Sequence, residues 1–305
     1  MYRFFKQLIY LLAFWIYAFV ISAYFSLLEI LSFLRIKPHI RLVENPDLLS
    51  LWFVRLWNAV PPNMKIWLST QNKKLYESHF TKFYINAYLH RNYKEDNYLN
   101  KFKPPLGKQT YECFQDFFTR EFAEEPDISS DSVAPAEGLV CDKQSFFSEK
   151  VTNIKGENIG LRSVFGSSSL EIPNNYFFTN IYLSNRNYHH IHAPISGTIT
   201  KIEKIDGDLI VLRPWYYHQN PSKPALINER VNINIKSEDD LTWYLSIVGG
   251  PVVNSIILPE DISIGTQVSI GQKLASFELG STCCIASPLK IKTRTNEAVE
   301  IFSDF

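Results

Sequence analysis

The stretch Ala193-Pro194-Ile195-Ser196-Gly197-Thr198-Ile199 has the pattern of a turn that enters a β-strand. A similar stretch, Ala134-Pro135-Ala136-Glu137-Gly138-Leu139-Val140, stands earlier in the chain and suggests an internal duplication. From about Val133 onward, short β-prone runs alternate with Gly, Pro, Asn and Asp: Tyr176–Leu183, Ile195–Ile202, Leu209–Leu212, Val231–Ile235, Trp243–Val248, Val252–Ile257 and Lys273–Phe277. The pattern predicts a mainly β domain over residues 131–305, built as a barrel or a sandwich.

Upstream of this domain the sequence predicts helices. Asp47–Val60 has apolar residues at helical spacing, and Pro61-Pro62 ends the pattern. Met64–His90 suggests further helices with aromatic faces, residues 92–108 a loop, and Tyr111–Phe122 a short amphipathic helix. The expected fold class is therefore α+β, with a helical, membrane-proximal region over residues 37–130.

An apolar segment opens the chain. Leu8–Leu28 contains no charged residue. This apolar run is long enough to span a bilayer and too long for a signal peptide. We predict that residues 1–36 form a membrane anchor, with a buried or interfacial hairpin as the alternative. Basic residues are slightly more frequent after the segment than before it, which favours a main body on the cytoplasmic side of a cell inner membrane or organelle membrane.

Charge and cysteine content narrow the function classes. The chain has 31 basic and 31 acidic residues and lacks a basic stripe, which argues against a nucleic-acid partner. None of its four cysteines forms a Cys-x-x-Cys pair, so a cysteine zinc site is not expected.

The chemically most informative stretch is Phe277-Glu278-Leu279-Gly280-Ser281-Thr282. Because glycine has no side chain, the Gly280 carbonyl is the least hindered one that a following serine could attack. Attack by the Ser281 hydroxyl would turn the amide into an ester, and elimination and hydrolysis would leave a pyruvoyl group at the new N-terminus. That ketone could form a Schiff base with an amine. The alternative is an ordinary turn, since Gly-Ser-Thr is common in turns.

A histidine cluster supplies a candidate base. Three histidines lie in Tyr188-His189-His190-Ile191-His192, and a serine nucleophile needs a base that a carboxylate such as Glu137 could orient. Positions 189 and 192 face opposite sides of a strand. A His-x-x-His pair can also bind zinc, but no third ligand is evident, so no metal is expected.

These elements together resemble the phosphatidylserine decarboxylase family, whose members are self-cleaving, pyruvoyl-dependent enzymes. The resemblance runs from Tyr111 to about Pro288, and more loosely back to Asp47. It is carried by segments in the family's order: Phe114-Gln115-Asp116-Phe117-Phe118-Thr119-Arg120, Pro135-Ala136-Glu137-Gly138, Ile181-Tyr182-Leu183-Ser184, Tyr188 to Pro194, Gly207-Asp208-Leu209, Asn228-Glu229-Arg230-Val231, Val248-Gly249 and Leu279-Gly280-Ser281-Thr282.

The resemblance implies a role for each site residue. Ser281 would be the self-cleaving nucleophile and pyruvoyl precursor, His192 its base, and His189 a residue that assists decarboxylation. Position 137 would hold the orienting acid, but the family has aspartate there and this chain has glutamate. Should Glu137 not serve, Glu229 or Asp142 is the next candidate.

The resemblance also implies partners and an activity. A membrane-bound enzyme would convert phosphatidylserine into phosphatidylethanolamine and CO2, and cleavage between Gly280 and Ser281 would leave heavy and light chains associated. A homodimer is left open. Two alternatives remain: a decarboxylase of a soluble amino acid and a lipid-binding pseudoenzyme that does not process itself. A carrier domain of the biotinyl or lipoyl type is excluded, because no lysine occupies the turn that would be modified.

Overall fold

The computed structural model describes residues 8, 9, 12, 15, 16, 48–82, 85, 89, 98–149, 151–154, 156–217, 219–278 and 280–305. The chain divides into two compact units, Met1–Glu125 and Pro126–Phe305.

The first unit contains the predicted helices. Helix α1 spans Leu48–Ala59 and helix α2 spans Pro62–Tyr76. The prolines separate the two helices, because Pro62 occupies the first turn of α2, where its missing N–H has no intrahelical partner to lose. Short 3-10 turns follow at His79–Thr81 and Tyr98–Lys101.

The predicted helix over Tyr111–Phe122 is shorter than expected. Helix α3 spans only Phe114–Phe118, and the chain then forms strand β2 (Glu121–Phe122), which pairs with β1 (Phe102–Lys103). Arg120 lies between helix α3 and strand β2. Its side chain is fully buried, with the guanidinium 4.8 Å from the Phe102 ring centroid and 4.7 Å from that of Phe117.

The predicted membrane anchor over residues 1–36 lies almost wholly outside the described residues. Its five described residues, 8, 9, 12, 15 and 16, are helical. In the described part of the chain, no helix has both the length and the apolar character needed to cross a membrane.

The second unit is mostly antiparallel sheet. Its strands are β3 (Gly138–Ser145), β4 (Val151–Ile154), β5 (Glu157–Gly160), β6 (Phe177–Leu183), β7 (His190–His192), β8 (Gly197–Ile205), β9 (Arg230–Lys236), β10 (Thr242–Gly249), β11 (Ile256–Ile257), β12 (Gln267–Val268), β13 (Lys273–Phe277), β14 (Ser281–Ser287) and β15 (Ala298–Val299). The main sheet has eight strands in the order β12-β8-β9-β10-β14-β6-β3-β15, and a second sheet has the order β11-β13-β7. Strands β4 and β5 form a separate hairpin, and 3-10 turns lie at Phe146–Ser148, Leu161–Ser168, Pro214–Tyr217 and Lys223–Leu226.

The main sheet buries both of its faces. One face packs against the three-stranded sheet through residues such as Ile233, Leu245, Ile191 and Phe277, and we call this side the inter-sheet face. The other face carries a second core around Phe165, beneath the turn Leu161–Ser168. Of the two predicted forms, a barrel or a sandwich, the barrel is wrong. Among the described residues the main sheet is open, because its edge strands β12 and β15 have only two residues each and do not pair with each other.

The two similar stretches occupy matching positions. Each leads into a strand of the main sheet at a glycine that a neighbouring backbone approaches closely. A Cβ at Gly138 would lie 2.4 Å from the Tyr182 carbonyl oxygen, and one at Gly197 would lie 2.3 Å from that of Lys236.

Candidate active site

The Gly280–Ser281 bond lies at the start of β14, in the middle of the main sheet. Gly280 has φ of 59°, in the left-handed region that glycine adopts without strain. The Ser281 side chain is fully buried, and its Oγ has no hydrogen-bond partner among the described residues. A buried polar group without a partner costs about 1–3 kcal/mol. Its lone pairs are therefore open for attack on a neighbouring carbonyl.

Strand pairing fixes the direction of the Ser281 side chain. Ser281 stands opposite Leu183 of β6 and Gly249 of β10. Residues at alternate positions of a strand share a face, and Cys283 and Ile285 of β14 belong to the core between the sheets. The Ser281 hydroxyl therefore points to the inter-sheet face.

His189 faces the same core between the two sheets, but from the side of the three-stranded sheet. The Phe277 N–H donates to the His189 carbonyl oxygen at 2.9 Å, which continues the pairing of β13 with β7 and sets His189 opposite the core residue Phe277. His189 Nδ1 lies 2.7 Å from the Asn187 carbonyl oxygen. Because a carbonyl only accepts, Nδ1 carries the proton, and in the neutral ring Nε2 is the nitrogen that can take up a proton.

His192 lies on the opposite face of β7. Its Nδ1 donates to the Gly271 carbonyl oxygen at 2.6 Å, and its Nε2 lies 3.2 Å from the Tyr188 hydroxyl. The ring also makes an edge contact with Phe302, at 4.9 Å between centroids. Burial lowers the pKa of His192 from 6.5 to about 4, so the ring is neutral near pH 7. Both ring nitrogens are thus engaged by groups other than Ser281.

Glu137 contacts the loop that precedes the histidines. Its Oε1 accepts hydrogen bonds from Asn187 Nδ2 at 2.9 Å and from the Tyr188 N–H at 3.1 Å. Asn187 in turn accepts from the Ser184 N–H at 2.9 Å through its Oδ1. Because the Asn187 carbonyl also holds the His189 ring, Glu137 fixes the segment that positions His189.

The four predicted site residues are therefore only partly brought together. Ser281 and His189 share the inter-sheet face, and Glu137 supports His189 through Asn187. No hydrogen bond joins Glu137 to His192 or His192 to Ser281 among the described residues. The triad of Glu137, His192 and Ser281 stays a prediction.

Comparison with known proteins identifies the family of this chain. A family model described as phosphatidylserine decarboxylase matches residues 114–301, well over half of the chain. The chain belongs to the phosphatidylserine decarboxylase family. Among its relatives are the phosphatidylserine decarboxylase proenzymes of Delftia acidovorans (28% identical, covering 61% of this chain and 72% of the relative) and Psychrobacter arcticus (32% identical, covering 60% and 71%). The proenzyme of Citrobacter koseri is 27% identical and covers 57% of this chain and 61% of the relative.

No metal centre is found among the described residues. Within the described residues, no group of three or more His, Cys, Asp and Glu side chains is placed to hold an ion. The four cysteines are free and buried, and burial raises the pKa of the Cys283 and Cys284 thiols, which keeps them protonated.

The two alternative acids have different positions. Asp142 accepts a hydrogen bond from the Ser222 hydroxyl at 2.8 Å, and Ser222 accepts one from Asn180 Nδ2 at 3.0 Å. Asn180 and Thr282 pair side chain to side chain on the face away from Ser281. Glu229, by contrast, is buried on the inter-sheet face beside Gly249.

Sequence reasoning missed Asn187. Asparagine in a turn commonly bonds to nearby backbone groups, and the spacing Ser184-x-x-Asn187 was the available signal.

Proposed function

We propose that this chain is a phosphatidylserine decarboxylase that removes the serine carboxyl group of the lipid as CO2 and leaves phosphatidylethanolamine. The observation that carries the proposal is the Ser281 hydroxyl, which is fully buried, has no hydrogen-bond partner among the described residues and follows Gly280 directly. Family membership and the names of the relatives support the same activity.

The proposed cofactor is a pyruvoyl group derived from Ser281, and the buried, unpartnered hydroxyl fits the self-cleavage that would produce it. Once formed, this group would supply a ketone that accepts electrons from an amine substrate. The chain would contribute the buried surroundings of residue 281 and the His189 ring, whose Nδ1 is held by the Asn187 carbonyl oxygen and whose Nε2 is the nitrogen available for proton transfer.

Strand pairing supports association of the two chains after cleavage. The light chain would begin with β14, which pairs on one side with β10 and on the other with β6. Its C-terminal part adds β15, paired with β3, and the Phe305 N–H donates to the Ser132 carbonyl oxygen at 3.1 Å. Losing this chain would open the middle of the main sheet.

A membrane location is part of the proposal. Among the described N-terminal residues, the apolar side chains of Leu8, Leu12 and Trp15 are 51%, 64% and 58% exposed, at a spacing that puts them on one helix face. In α2, Ile66 and Trp67 are about half exposed. Exposed apolar side chains of this kind favour contact with lipid. Removing a two-chain lipid from a bilayer costs about 0.8 kcal/mol per CH2, so the enzyme gains by acting on its substrate at the membrane. We propose docking on the cytoplasmic side of a cell inner membrane or organelle membrane.

The test is CO2 release from vesicles. Purified protein is given vesicles that contain phosphatidylserine labelled at the serine carboxyl, and free labelled serine or tryptophan in parallel. We expect labelled CO2 from the vesicles only, and none from Ser281→Ala. Release from a free amino acid alone would favour the soluble-substrate enzyme, and release from neither by self-cleaved protein would contradict the proposed activity.

A further inference from the structure

Glu229 is a buried carboxylate that lies level with Ser281 across the main sheet, with Gly249 between them. Gly249 of β10 stands directly opposite Ser281 of β14. On its other side, the Gly249 N–H donates to the Glu229 carbonyl oxygen at 2.9 Å, just beyond the pairing of Val248 with Arg230. Glu229, Gly249 and Ser281 therefore lie side by side on three neighbouring strands.

The pairing of Gly249 with Ser281 brings their Cα atoms close. Both the N–H and the carbonyl of Gly249 point away from β14, since the carbonyl oxygen accepts from Asn228 Nδ2 at 2.8 Å. The pair is thus the non-hydrogen-bonded kind, in which the Cα atoms are roughly 4.5 Å apart. In such a pair the α-hydrogens point towards each other, so the Cα–H bond of Ser281 faces Gly249.

The absent side chain of Gly249 leaves room for Glu229. A Cβ at Gly249 would lie 3.1 Å from Glu229 Oε1 and 3.0 Å from Ser255 Oγ. Opposed residues share a face, so the carboxylate extends over Gly249 on the side of the Ser281 hydroxyl. The Ser255 N–H holds it there by donating to Oε1 at 3.3 Å.

From this geometry we propose that Glu229 is the base that removes the Cα proton of Ser281 during self-cleavage. The inference rests on the proposed function. It assigns a base to the removal of the Ser281 Cα proton, from which the side chains of Glu137 and Asp142 are held away. Glu137 is bonded to Asn187 and Tyr188, and Asp142 lies with Asn180 and Thr282 on the other face of the sheet.

The chemistry has two separable stages. In the first, Ser281 Oγ bonds to the Gly280 carbonyl carbon, the C–N bond breaks, and the hydroxyl proton ends on the freed amine, which gives an ester. In the second, the Ser281 Cα proton moves to Glu229. The Cα–H electron pair forms a Cα=Cβ bond, and the Cβ–O bond breaks to release Gly280 as a carboxylate. The enamine regains a proton at Cβ, for which protonated Glu229 is placed, and water hydrolyses the resulting imine to a ketone and ammonia.

The test separates these stages with hydroxylamine, which cleaves esters. Glu229→Gln keeps the volume and removes the base, and loss of a general base slows a step roughly 10²–10⁴-fold. We expect Glu229→Gln to stay uncut alone and to be cut by neutral hydroxylamine, giving a Gly280 hydroxamate and a light chain that begins with serine. Intact mass identifies both products.

Gly249→Ala provides a second variant that leaves Glu229 in place. Its added Cβ would lie 3.1 Å from Glu229 Oε1, so the carboxylate must move by a few tenths of an ångström. Because misplacing a catalytic group slows its step, we expect this variant to mature more slowly than wild type and to accumulate part of the same ester. Glu203→Gln is the matched control. Glu203 is a half-buried carboxylate on β8, separated from β14 by β9 and β10, and it accepts from the Ser167 N–H, which an amide oxygen can also do. It should mature like wild type.

The outcomes separate this inference from the proposed function. Wild-type protein that stays uncut overturns both. Wild-type protein that matures overturns the inference alone if Glu229→Gln matures at the same rate, or if folded Glu229→Gln resists hydroxylamine as fully as Ser281→Ala. The ester in Glu229→Gln and Gly249→Ala, with normal maturation of Glu203→Gln, is the result that the inference requires.

Discussion

Glu137→Gln should slow self-cleavage without unfolding the protein. The carboxylate accepts two hydrogen bonds, from Asn187 Nδ2 and the Tyr188 N–H, and glutamine keeps an oxygen acceptor but loses the charge. Hydrogen bonds to charged groups contribute about 1.5–3 kcal/mol and neutral ones about 0.5–1.5 kcal/mol. Loss of the charge therefore weakens the two hydrogen bonds by about 2 kcal/mol in total. Because Glu137 is only half buried and solvent screens its charge, we take the loss as about 1–2 kcal/mol. At 1.36 kcal/mol per tenfold, cleavage slows by roughly 5- to 30-fold.

The assay is the time course of light-chain release after synthesis in a cell-free system, read by intact mass. Asn187→Ala should slow release similarly, and the double variant should be no slower than the worse single variant, because both act through one contact. Glu137→Asp should be tolerated. Normal maturation of Asn187→Ala beside slow Glu137→Gln would show that Glu137 acts elsewhere, as in the triad with His192. Normal maturation of Glu137→Gln would refute both accounts.

Three further outcomes are expected. Burial lowers the pKa of His192 to about 4 from 6.5 in the unfolded chain. Below pH 6.5 the unfolded chain is protonated first, so the free energy of unfolding is highest above pH 6.5 and decreases progressively down to about pH 4. In urea unfolding of the uncut Ser281→Ala protein, this ring should lower the free energy of unfolding by about 2 kcal/mol between pH 7.5 and pH 5. His192→Gln should remove that part of the pH dependence, and an unchanged dependence would contradict the low pKa of His192. Gly280→Ala should impair cleavage, because φ of 59° costs other residues about 1–2 kcal/mol and the new Cβ would lie 3.3 Å from Pro251 Cδ; wild-type release of the light chain would count against this. Protein lacking residues 1–36 should still cleave itself but decarboxylate phosphatidylserine poorly in vesicles, and equal activity would show that the segment only targets the protein.

Regular strands were predictable because local pattern and tertiary pairing agree in them. Lys273–Phe277 was predicted with the bounds that the structure has, and Val231–Ile235 and Trp243–Val248 lie within β9 and β10. Leu209–Leu212 has the same β-prone composition but is not a strand. Asn228 supplies its backbone partners instead, accepting from the Ile210 N–H at 3.0 Å and donating to the Ile210 carbonyl at 2.8 Å.

Which residues meet at the site depended on pairing that no local pattern contains. The sequence predicted that His189 and His192 face opposite sides, but the register of β7 on β13 decides that His189 is the one on the face of Ser281. Glu229 and Ser281 are far apart in the chain and become neighbours only because β10 lies between β9 and β14. The sequence indicates that Gly249 follows a strand pattern. It does not indicate that the missing side chain of Gly249 leaves space for the Glu229 carboxylate.

Intact-mass measurement of purified wild-type protein shows directly whether the chain cleaves itself between Gly280 and Ser281. We expect two chains, Met1 to Gly280 and residues 281–305, with the shorter one lighter by one ammonia than a chain that begins with serine. Ser281→Ala should give one chain of full mass. A wild-type protein that remains a single chain would rule out self-cleavage, and a light chain that begins with unmodified Ser281 would rule out the pyruvoyl group.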